Sequence, residues 1–222
     1  MNKDLLEAVK IYATRPHPEL SALLLQKSKD QLIALFNDLL TGYINDRNSS
    51  SIRELVVVSI SGYTHRDAKI GYNGYKQSSG IGGKPISCEV KPKNINTEDN
   101  KKRKSKSKHN GQGNFTDYTH KRIDKDLKEN LNMLIAGFVD GELIFILEFP
   151  FNCKSFVERL KKQLKKRFPK GDKLGEYLRG ANFSFKDYEN CKSLKLIYLN
   201  KGSLEKNKPA FTKNFFGFLK KY

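Results

Sequence analysis

The segment Cys88-Glu89-Val90-Lys91-Pro92-Lys93 places a carboxylate and an ammonium group two residues apart. Side chains i and i+2 of a β-strand point to the same side, so in a strand Glu89 and Lys91 share a face and Val90 turns to the core. A carboxylate can hold Mg²⁺, which polarises a phosphate and lowers the pKa of a bound water. A neighbouring Lys can position that water and offset charge in the transition state. The pair therefore predicts metal-assisted hydrolysis of a phosphodiester.

A second acidic ligand is expected upstream, because Mg²⁺ usually takes one or two carboxylates together with waters and phosphate oxygens. Asp67 lies 22 residues before Glu89, and Asn73 lies 16 residues before it. Both have the same parity as Lys69, so a regular strand would turn all three to one side. Charge favours Asp67 as the ligand, and Asn73 is either a substitute ligand or a supporting residue. Glu54 is a further acidic group that could belong to the site.

The elements around these residues alternate between helices and strands. Apolar spacing and a Ser28–Gln31 capping box predict helices over residues 3–14, 28–42, 117–131 and 154–167. Turn residues between apolar runs predict a hairpin over 67–96, a second hairpin turning at Asp140-Gly141, and a strand over 194–199. The β-branched run that follows a Ser51–Glu54 capping box fits either a helix or a strand. Strands in the middle with helices on both sides predict an α/β sheet domain.

Charge indicates the kind of partner. The 222 residues contain 42 Lys and Arg against 24 Asp and Glu, a net charge of +18 that favours a polyanion over the substrates of an ordinary metabolic enzyme. Residues 97–114 are almost free of apolar side chains and predict a basic, flexible insertion in a single domain spanning 1–222. The three scattered cysteines form no CxxC, and no apolar run is long enough for a membrane span. A cytoplasmic protein without a membrane partner is expected.

Asp67, the strand and turn after it, and Glu89-Val90-Lys91 with Pro92-Lys93-Asn94 resemble the PD-(D/E)xK nuclease superfamily, most closely its type II restriction endonucleases. The resemblance covers roughly residues 50 to 150 and extends loosely to 114–118 and 137–141. It implies a central mixed β-sheet flanked by α-helices, metal binding by Asp67 and Glu89, and a catalytic lysine at Lys91. Arg66 stands where the family has Pro, and some relatives have an acid where this chain has Asn73.

The resemblance implies a Mg²⁺-dependent type II site-specific deoxyribonuclease, with Mn²⁺ as a substitute ion, acting on a short double-stranded DNA sequence. A palindromic target needs a two-fold reader, so a homodimer is expected. A cognate DNA methyltransferase would belong to the same system without forming a stable complex. The expected DNA contacts come from the residues near the site, the basic segment and the start of the 117–131 helix. They are Lys69, Lys93, Asn94, Lys102, Arg103, Lys104, Lys106, Lys108, Tyr118, Thr119, His120, Lys121 and Arg122.

Other interpretations of these features stay open. A basic DNA- or RNA-binding protein without catalysis would carry the same charge, and a structure-specific nuclease such as a Holliday junction resolvase would carry the same site. The 154–167 helix is interpreted as a surface helix with seven basic residues among fourteen, which could instead lie along phosphates or an anionic membrane. The aromatic C-terminal segment predicts packing in the core or in a dimer.

Overall fold

The computed structural model describes residues 3–45, 50–66, 71–78, 83–95 and 107–222. The helices are α1 (Lys3–Thr14), α2 (His17–Leu25), α3 (Lys29–Asn45), α4 (Ser50–Ile60), α5 (His120–Glu129), α6 (Lys154–Arg167), α7 (Lys201–Lys206) and α8 (Lys213–Leu219). The strands are β1 (Thr64–His65), β2 (Gly74–Lys76), β3 (Ile86–Ile95), β4 (Gly113–Tyr118), β5 (Asn132–Val139), β6 (Glu142–Pro150), β7 (Leu178–Phe183) and β8 (Lys195–Leu199). Short 3-10 turns lie at Phe185–Asp187 and Lys208–Ala210.

Within these ranges, six strands form one mixed sheet in the order β1-β2-β3-β5-β6-β8. β3 and β5 run parallel, and the other neighbours pair antiparallel. β4 and β7 form a separate antiparallel pair. The predicted α/β architecture, a mixed central sheet flanked by helices, is confirmed.

The sheet separates two cores. On one side α1 and α4 cover it, and the buried residues include Val56, Val57, Cys88 and Val90. On the other side the β4–β7 pair, α5, α6 and the C-terminal segment enclose an aromatic cluster. That cluster includes Phe115, Phe149, Phe156, Phe183, Phe211 and Phe215. The aromatic C-terminal residues therefore serve the core, one of the two roles that the sequence predicted.

The β-branched run Leu55–Ile60 is helical. Leu55, Val56, Val57 and Val58 are all buried, because α4 packs against β3 and α1. Burial on consecutive positions offsets the small loss of helix propensity that β-branching causes. The helix begins at Ser50, and the Ser28–Gln31 capping box ahead of α3 is formed as predicted.

The Asp140-Gly141 turn is also confirmed. Asp140 and Gly141 both have positive φ, at 52° and 84°, which suits the tight turn that joins two antiparallel strands. β5 and β6 flank this turn and are buried over almost their whole length. They form the centre of the sheet and provide the rigid base against which β3 is aligned.

Three predicted elements differ from the structure. The hairpin of 67–96 has a short first arm, since β2 covers only Gly74–Lys76, and residues 71–73 before it are not a strand. The helix of 117–131 begins at His120, because Asp117 takes positive φ and Tyr118 still belongs to β4. Of the segment 97–114, the structure describes residues 107–114, and there His109 is buried and pairs with Phe211 of the C-terminal segment.

Among the helices of the described ranges, none combines the length and apolar character that crossing a membrane requires.

Candidate active site

β3 places Glu89 and Lys91 on one side of the sheet, as the alternation of a strand predicted. Nζ of Lys91 lies 2.6 Å from Oε1 of Glu89, which is only 6 % exposed. The same Nζ lies 4.5 Å from the centre of the Phe115 ring. Cys88 and Val90 pack on the opposite side of the sheet. The carboxylate–ammonium pair is therefore formed within β3 and held against the aromatic core.

Gly113, the first residue of β4, fixes how closely the β4–β7 pair approaches Lys91. A Cβ at this position would lie 3.0 Å from Cβ of Lys91 and 2.3 Å from Cζ of Phe183. Real side chains do not tolerate the second contact, so only glycine lets β4 pack here without displacing its neighbours. This contact restricts the space around the Lys91 side chain.

Asn73 joins the edge of β3 to α4. Its backbone N–H donates to the carbonyl of Cys88 at 2.9 Å, and its side-chain oxygen accepts from the N–H of Val90 at 2.8 Å. Its side-chain amide nitrogen donates to Oε2 of Glu54 at 3.0 Å. The amide of Asn73 thus continues the β2–β3 pairing beyond Gly74 and holds a carboxylate beside the strand that carries Glu89 and Lys91.

Glu54 is oriented from two sides. Oγ of Ser50 donates to Oε1 of Glu54 at 2.9 Å, and Asn73 donates to Oε2. A carboxylate that accepts at both oxygens has its orientation fixed. The sequence suggested Glu54 only as an additional acid, whereas in the structure it lines the same cleft as Lys91.

A cleft of about 630 Å³ opens along β3 where β2 no longer covers its edge. One wall comes from α4, the floor from β3, and the other wall from the residues around β4, β7 and α6. The lining consists of Ser50, Glu54, Val90, Lys91, Pro92, Lys93, Asn110, Gln112, Gly113, Asn114, Arg159, Asn182, Phe183, Ser184 and Asp187. The cleft therefore combines cationic side chains, two carboxylates (Glu54 and Asp187) and neutral amides.

The start of α5 has a structural role. Tyr118 is fully buried, and its hydroxyl donates to Oδ2 of Asp126 at 3.0 Å. Burial and the charge of Asp126 raise the pKa of Tyr118 well above its ordinary value. Arg122 Nε lies 3.1 Å from the other Asp126 oxygen, and Thr119 caps the helix by accepting from the N–H of Arg122. Tyr118 consequently has no surface with which to contact DNA in this conformation.

An internal carboxylate already occupies the N-terminus of α5. Asp172 accepts hydrogen bonds from the N–H groups of His120 and Lys121, and it also lies 2.8 Å from Nδ1 of His120. Burial alone would raise the pKa of Asp172, but these hydrogen bonds lower it below its ordinary value. The N–H groups at the helix start where the sequence predicted DNA contacts therefore already have an acceptor within the chain.

The other predicted contacts are divided among several places. Lys93 lines the cleft, whereas Asn94 accepts a hydrogen bond from the N–H of Gly141 at the β5–β6 turn. Lys108 is exposed next to the buried His109. Six residues of the predicted site and DNA contacts lie outside the described residues. They are Asp67, Lys69, Lys102, Arg103, Lys104 and Lys106.

The donor chemistry of this site suits Mg²⁺. Glu54 and Glu89 supply hard carboxylate oxygens, and Asn73 supplies an amide oxygen, which are the ligand types that this ion prefers. The described residues contain no cluster of three or more His, Cys, Asp and Glu side chains suited to holding a metal. A cation here would therefore be held by few protein ligands, with water and phosphate oxygens completing its coordination.

The sequence did not predict that Asn114, Asn182 and Arg159 line the wall of the cleft opposite α4. Asn114 and Asn182 face each other across β4 and β7, and Arg159 lies beside Asp187 with its Nε 3.9 Å from Oδ1. No pattern in the sequence indicated β4 or β7 as strands, and Arg159 belongs to a helix that was interpreted as a surface helix. Their meeting depends on how α6 packs over the β4–β7 pair.

No protein-family model matches the chain, and a search of curated proteins found no match for it.

Proposed function

We propose that the protein is a Mg²⁺-dependent type II restriction endonuclease with a restriction-endonuclease-like fold, which hydrolyses phosphodiester bonds at a short sequence in double-stranded DNA. The observation that carries the proposal is the pair on β3: Lys91 contacts Glu89 at 2.6 Å and lines a cleft that Glu54 also lines. An ammonium that contacts one carboxylate and lines a cleft with a second, in a chain of net charge +18, suits metal-assisted chemistry on a phosphate.

Each side chain has a distinct role in this proposal. Glu89 and Glu54 would hold the metal ion, which polarises the phosphate and lowers the pKa of its water when bound. Lys91 positions the attacking water and offsets negative charge as the phosphorus gains an oxygen. Asn73 positions Glu54, and Asp67 remains the proposed first acidic ligand of the family pattern. Lys93 attracts the phosphate backbone on the same side of the cleft.

A homodimer is part of the proposal, because each subunit would cut one strand of a two-fold target. The N-terminal helices support it by their charge and their exposed apolar side chains. Residues 3–45 contain five Lys and Arg and five Asp and Glu, so the net charge of +18 comes from the rest of the chain. α3 exposes one continuous apolar stripe, formed by Leu32, Ile33, Phe36, Leu40 and Tyr43. A neutral, apolar helix face suits a second copy of this chain better than it suits DNA.

The decisive experiment is to incubate the protein with plasmid DNA and Mg²⁺ and to sequence the fragment ends. Discrete fragments with one shared end sequence are expected. Glu89→Ala should abolish cleavage while DNA binding in a gel-shift assay persists, and Lys91→Ala should slow cleavage by about 100-fold or more. Glu158→Ala removes an exposed carboxylate on α6 and serves as the charge-matched control, which should cleave normally.

Other results of these experiments would contradict the proposed site or indicate a different function. Normal cleavage by Glu89→Ala would contradict the proposed site. Binding without any cleavage by the intact protein, across varied duplexes, would indicate a basic nucleic-acid-binding protein. Cleavage of a four-way junction but not of linear duplexes would indicate a structure-specific nuclease such as a Holliday junction resolvase.

A further inference from the structure

The two strands β4 and β7 form a small sheet, called the β4–β7 ribbon below, whose faces differ sharply. Phe115, Ala181 and Phe183 turn into the aromatic core. Asn114, Thr116 and Asn182 are exposed on the opposite face. The exposed face has no large apolar side chain at these positions, so neither a membrane nor an apolar protein partner suits it.

Asn114 and Asn182 form the centre of this polar face. They are direct partners in the antiparallel register, which places their Cβ atoms about 5 Å apart. Both line the cleft that contains Lys91. Within the described residues, neither side-chain amide makes a hydrogen bond, so both retain a donor and an acceptor for a ligand.

Glycine at position 180 leaves room for the two asparagine side chains. Gly180 pairs with Thr116, next to the two asparagines, and a Cβ at Gly180 would lie 3.1 Å from Oδ1 of Asn114. A larger residue there would press on the Asn114 amide. The missing side chain at position 180 therefore leaves the space that the Asn114 and Asn182 amides occupy, since atoms of both lie within 3.6 Å of that Cβ position.

The ribbon is held rigidly in place. The side-chain amide of Gln163 on α6 accepts from the N–H of Asn182 at 3.0 Å and donates to its carbonyl at 2.9 Å. Gln163 thus satisfies the backbone of β7 as a further strand would, and it leaves the Asn182 side chain uncommitted. Together with the buried rings of Phe115 and Phe183, this fixes both asparagines before a ligand arrives, which reduces the entropy cost of binding.

The cleft around the ribbon indicates the ligand. Lys91, Lys93 and Arg159 line it together with the two asparagines, so a polyanion is attracted to a surface that also carries neutral amides. A two-stranded ribbon fits the major groove of B-DNA. There an Asn side chain can contact adenine at two points, because its N–H donates to adenine N7 and its oxygen accepts from the adenine N6 amino group. Amides on a ribbon inside a cationic cleft therefore match base edges between two phosphate backbones.

We propose that the exposed face of the β4–β7 ribbon reads base edges in the DNA major groove, with Asn114 and Asn182 each contacting an A·T pair. This inference rests on the proposed function for its placement beside the cutting site. It assigns sequence specificity to Asn114 and Asn182, which are separate from the Glu89–Lys91 pair proposed to cut the DNA. The phosphate contacts of Lys93 and Arg159 would hold the duplex in register while the asparagines select the sequence.

The test selects bound duplexes from a pool with a randomised centre, using the intact protein in EDTA so that no cleavage occurs. The wild type should enrich a motif that contains A·T pairs. Asn114→Ala and Asn182→Ala should each reduce the preference at one A·T position by about 10-fold, while affinity for unselected duplex stays unchanged. Asn37→Ala on α3 removes an exposed asparagine outside the cleft and should leave the motif intact.

Thermal denaturation of every variant checks that the exposed substitutions leave the fold intact, and Asn114→Ser and Asn182→Ser provide smaller polar replacements that also lack the two-point amide. An unchanged motif in both Asn variants, or no motif with the wild type, would overturn the inference. Cleavage of plasmid DNA with Mg²⁺ is measured separately. A motif that depends on the asparagines, without any cleavage, would support base reading and refute the nuclease. Cleavage by the wild type, with a motif that both Asn variants leave unaltered, would support the nuclease and refute base reading by the asparagines.

Discussion

The side-chain amide of Asn73 donates a 3.0 Å hydrogen bond to the carboxylate of Glu54 and accepts one from the backbone of Val90 at 2.8 Å. One neutral side chain thereby links the edge of β3 to α4. An aspartate at position 73 could still accept from Val90, but it could no longer donate to Glu54. The neutral amide therefore occupies a position where an aspartate would place a second negative charge beside Glu54.

Asn73→Asp should make the stability of the protein depend on a divalent cation. Two facing carboxylates repel each other, so the free energy of unfolding without metal should fall by about 1–3 kcal/mol. Mg²⁺ bound between them stabilises only the folded state, so millimolar Mg²⁺ should recover most of this loss. Thermal denaturation with EDTA and with Mg²⁺ measures both effects.

Asn73→Ala is the matched control, because it loses the hydrogen bond to Glu54 without adding a charge. It should be destabilised in EDTA and should gain no more from Mg²⁺ than the wild type does. If Mg²⁺ stabilises Asn73→Asp no more than Asn73→Ala, residue 73 and Glu54 do not share a cation.

Gly113→Ala should destabilise the fold and disturb the site together. The added Cβ would lie 2.3 Å from Cζ of Phe183, so the ring or β4 must shift, at a cost of about 1–3 kcal/mol. The same Cβ would crowd Lys91, so cleavage should fall by more than DNA affinity does. Denaturant unfolding, cleavage rates and gel shifts measure the three quantities.

Gly217→Ala is the control for Gly113→Ala, because it adds the same methyl group at a glycine that has no close neighbour. Gly217 lies in α8, and a Cβ there meets no atom within 4 Å. Alanine favours a helix over glycine, so this variant should be as stable as the wild type or more stable. If Gly113→Ala and Gly217→Ala have the same stability and the same cleavage rate, the close approach of β4 to Lys91 affects neither quantity.

Phe36→Glu should prevent dimerisation. Phe36 is 57 % exposed at the middle of the apolar stripe of α3, and a charge there would be buried without a partner in a symmetric contact. Light scattering should give the mass of a dimer for the wild type and of a monomer for the variant. Thr41→Glu, on the polar side of the same helix, should remain a dimer.

A monomeric wild type would refute self-association through α3. A dimer that survives Phe36→Glu would place the interface elsewhere. If the variant is monomeric, cleavage of one strand should persist while double-strand cleavage is lost, because each subunit carries one Glu89–Lys91 pair.

Local patterns predicted what local geometry determines. The pairing of Glu89 with Lys91 follows from the two-residue period of a strand, and the β5–β6 hairpin follows from an Asp140-Gly141 turn that needs positive φ. The regular strand expected through Asn73 was wrong, because the chain turns back there to pair β2 with β1. Its side chain consequently lies against β3 and α4 rather than on a strand face.

Residues that meet only through tertiary packing left no local pattern. Tyr118 was expected at a helix surface, but β4 extends to it and the aromatic core buries it. Asn114 and Asn182 are 68 positions apart and become partners only when β4 pairs with β7. Arg159 reaches the cleft because Gln163 of the same helix is bonded to β7. Such contacts depend on the order and packing of the elements, which sequence periodicity does not predict.

His109 should make the protein lose stability in mild acid. It is 1 % exposed, packs against Phe145 and Phe211, and its Nε2 lies 2.8 Å from the carbonyl oxygen of Phe138. Burial, with a contribution from the charge of Lys93, lowers the pKa of His109 from 6.5 to about 4. The folded state therefore holds a neutral ring that donates to Phe138, while the unfolded chain binds a proton below pH 6.5.

Since the unfolded state binds more protons between pH 6.5 and 4, the free energy of unfolding falls as the pH drops through this window, by up to about 3 kcal/mol. His109→Gln keeps an N–H donor but cannot titrate, so its unfolding free energy should fall less steeply over the same range. Urea unfolding at several pH values measures the two slopes. Phe211→Leu weakens the same neighbourhood but leaves His109 in place, so it should keep the steeper slope. Equal slopes for the wild type and His109→Gln would mean that His109 binds protons equally in the folded and unfolded states, which would contradict the lowered pKa.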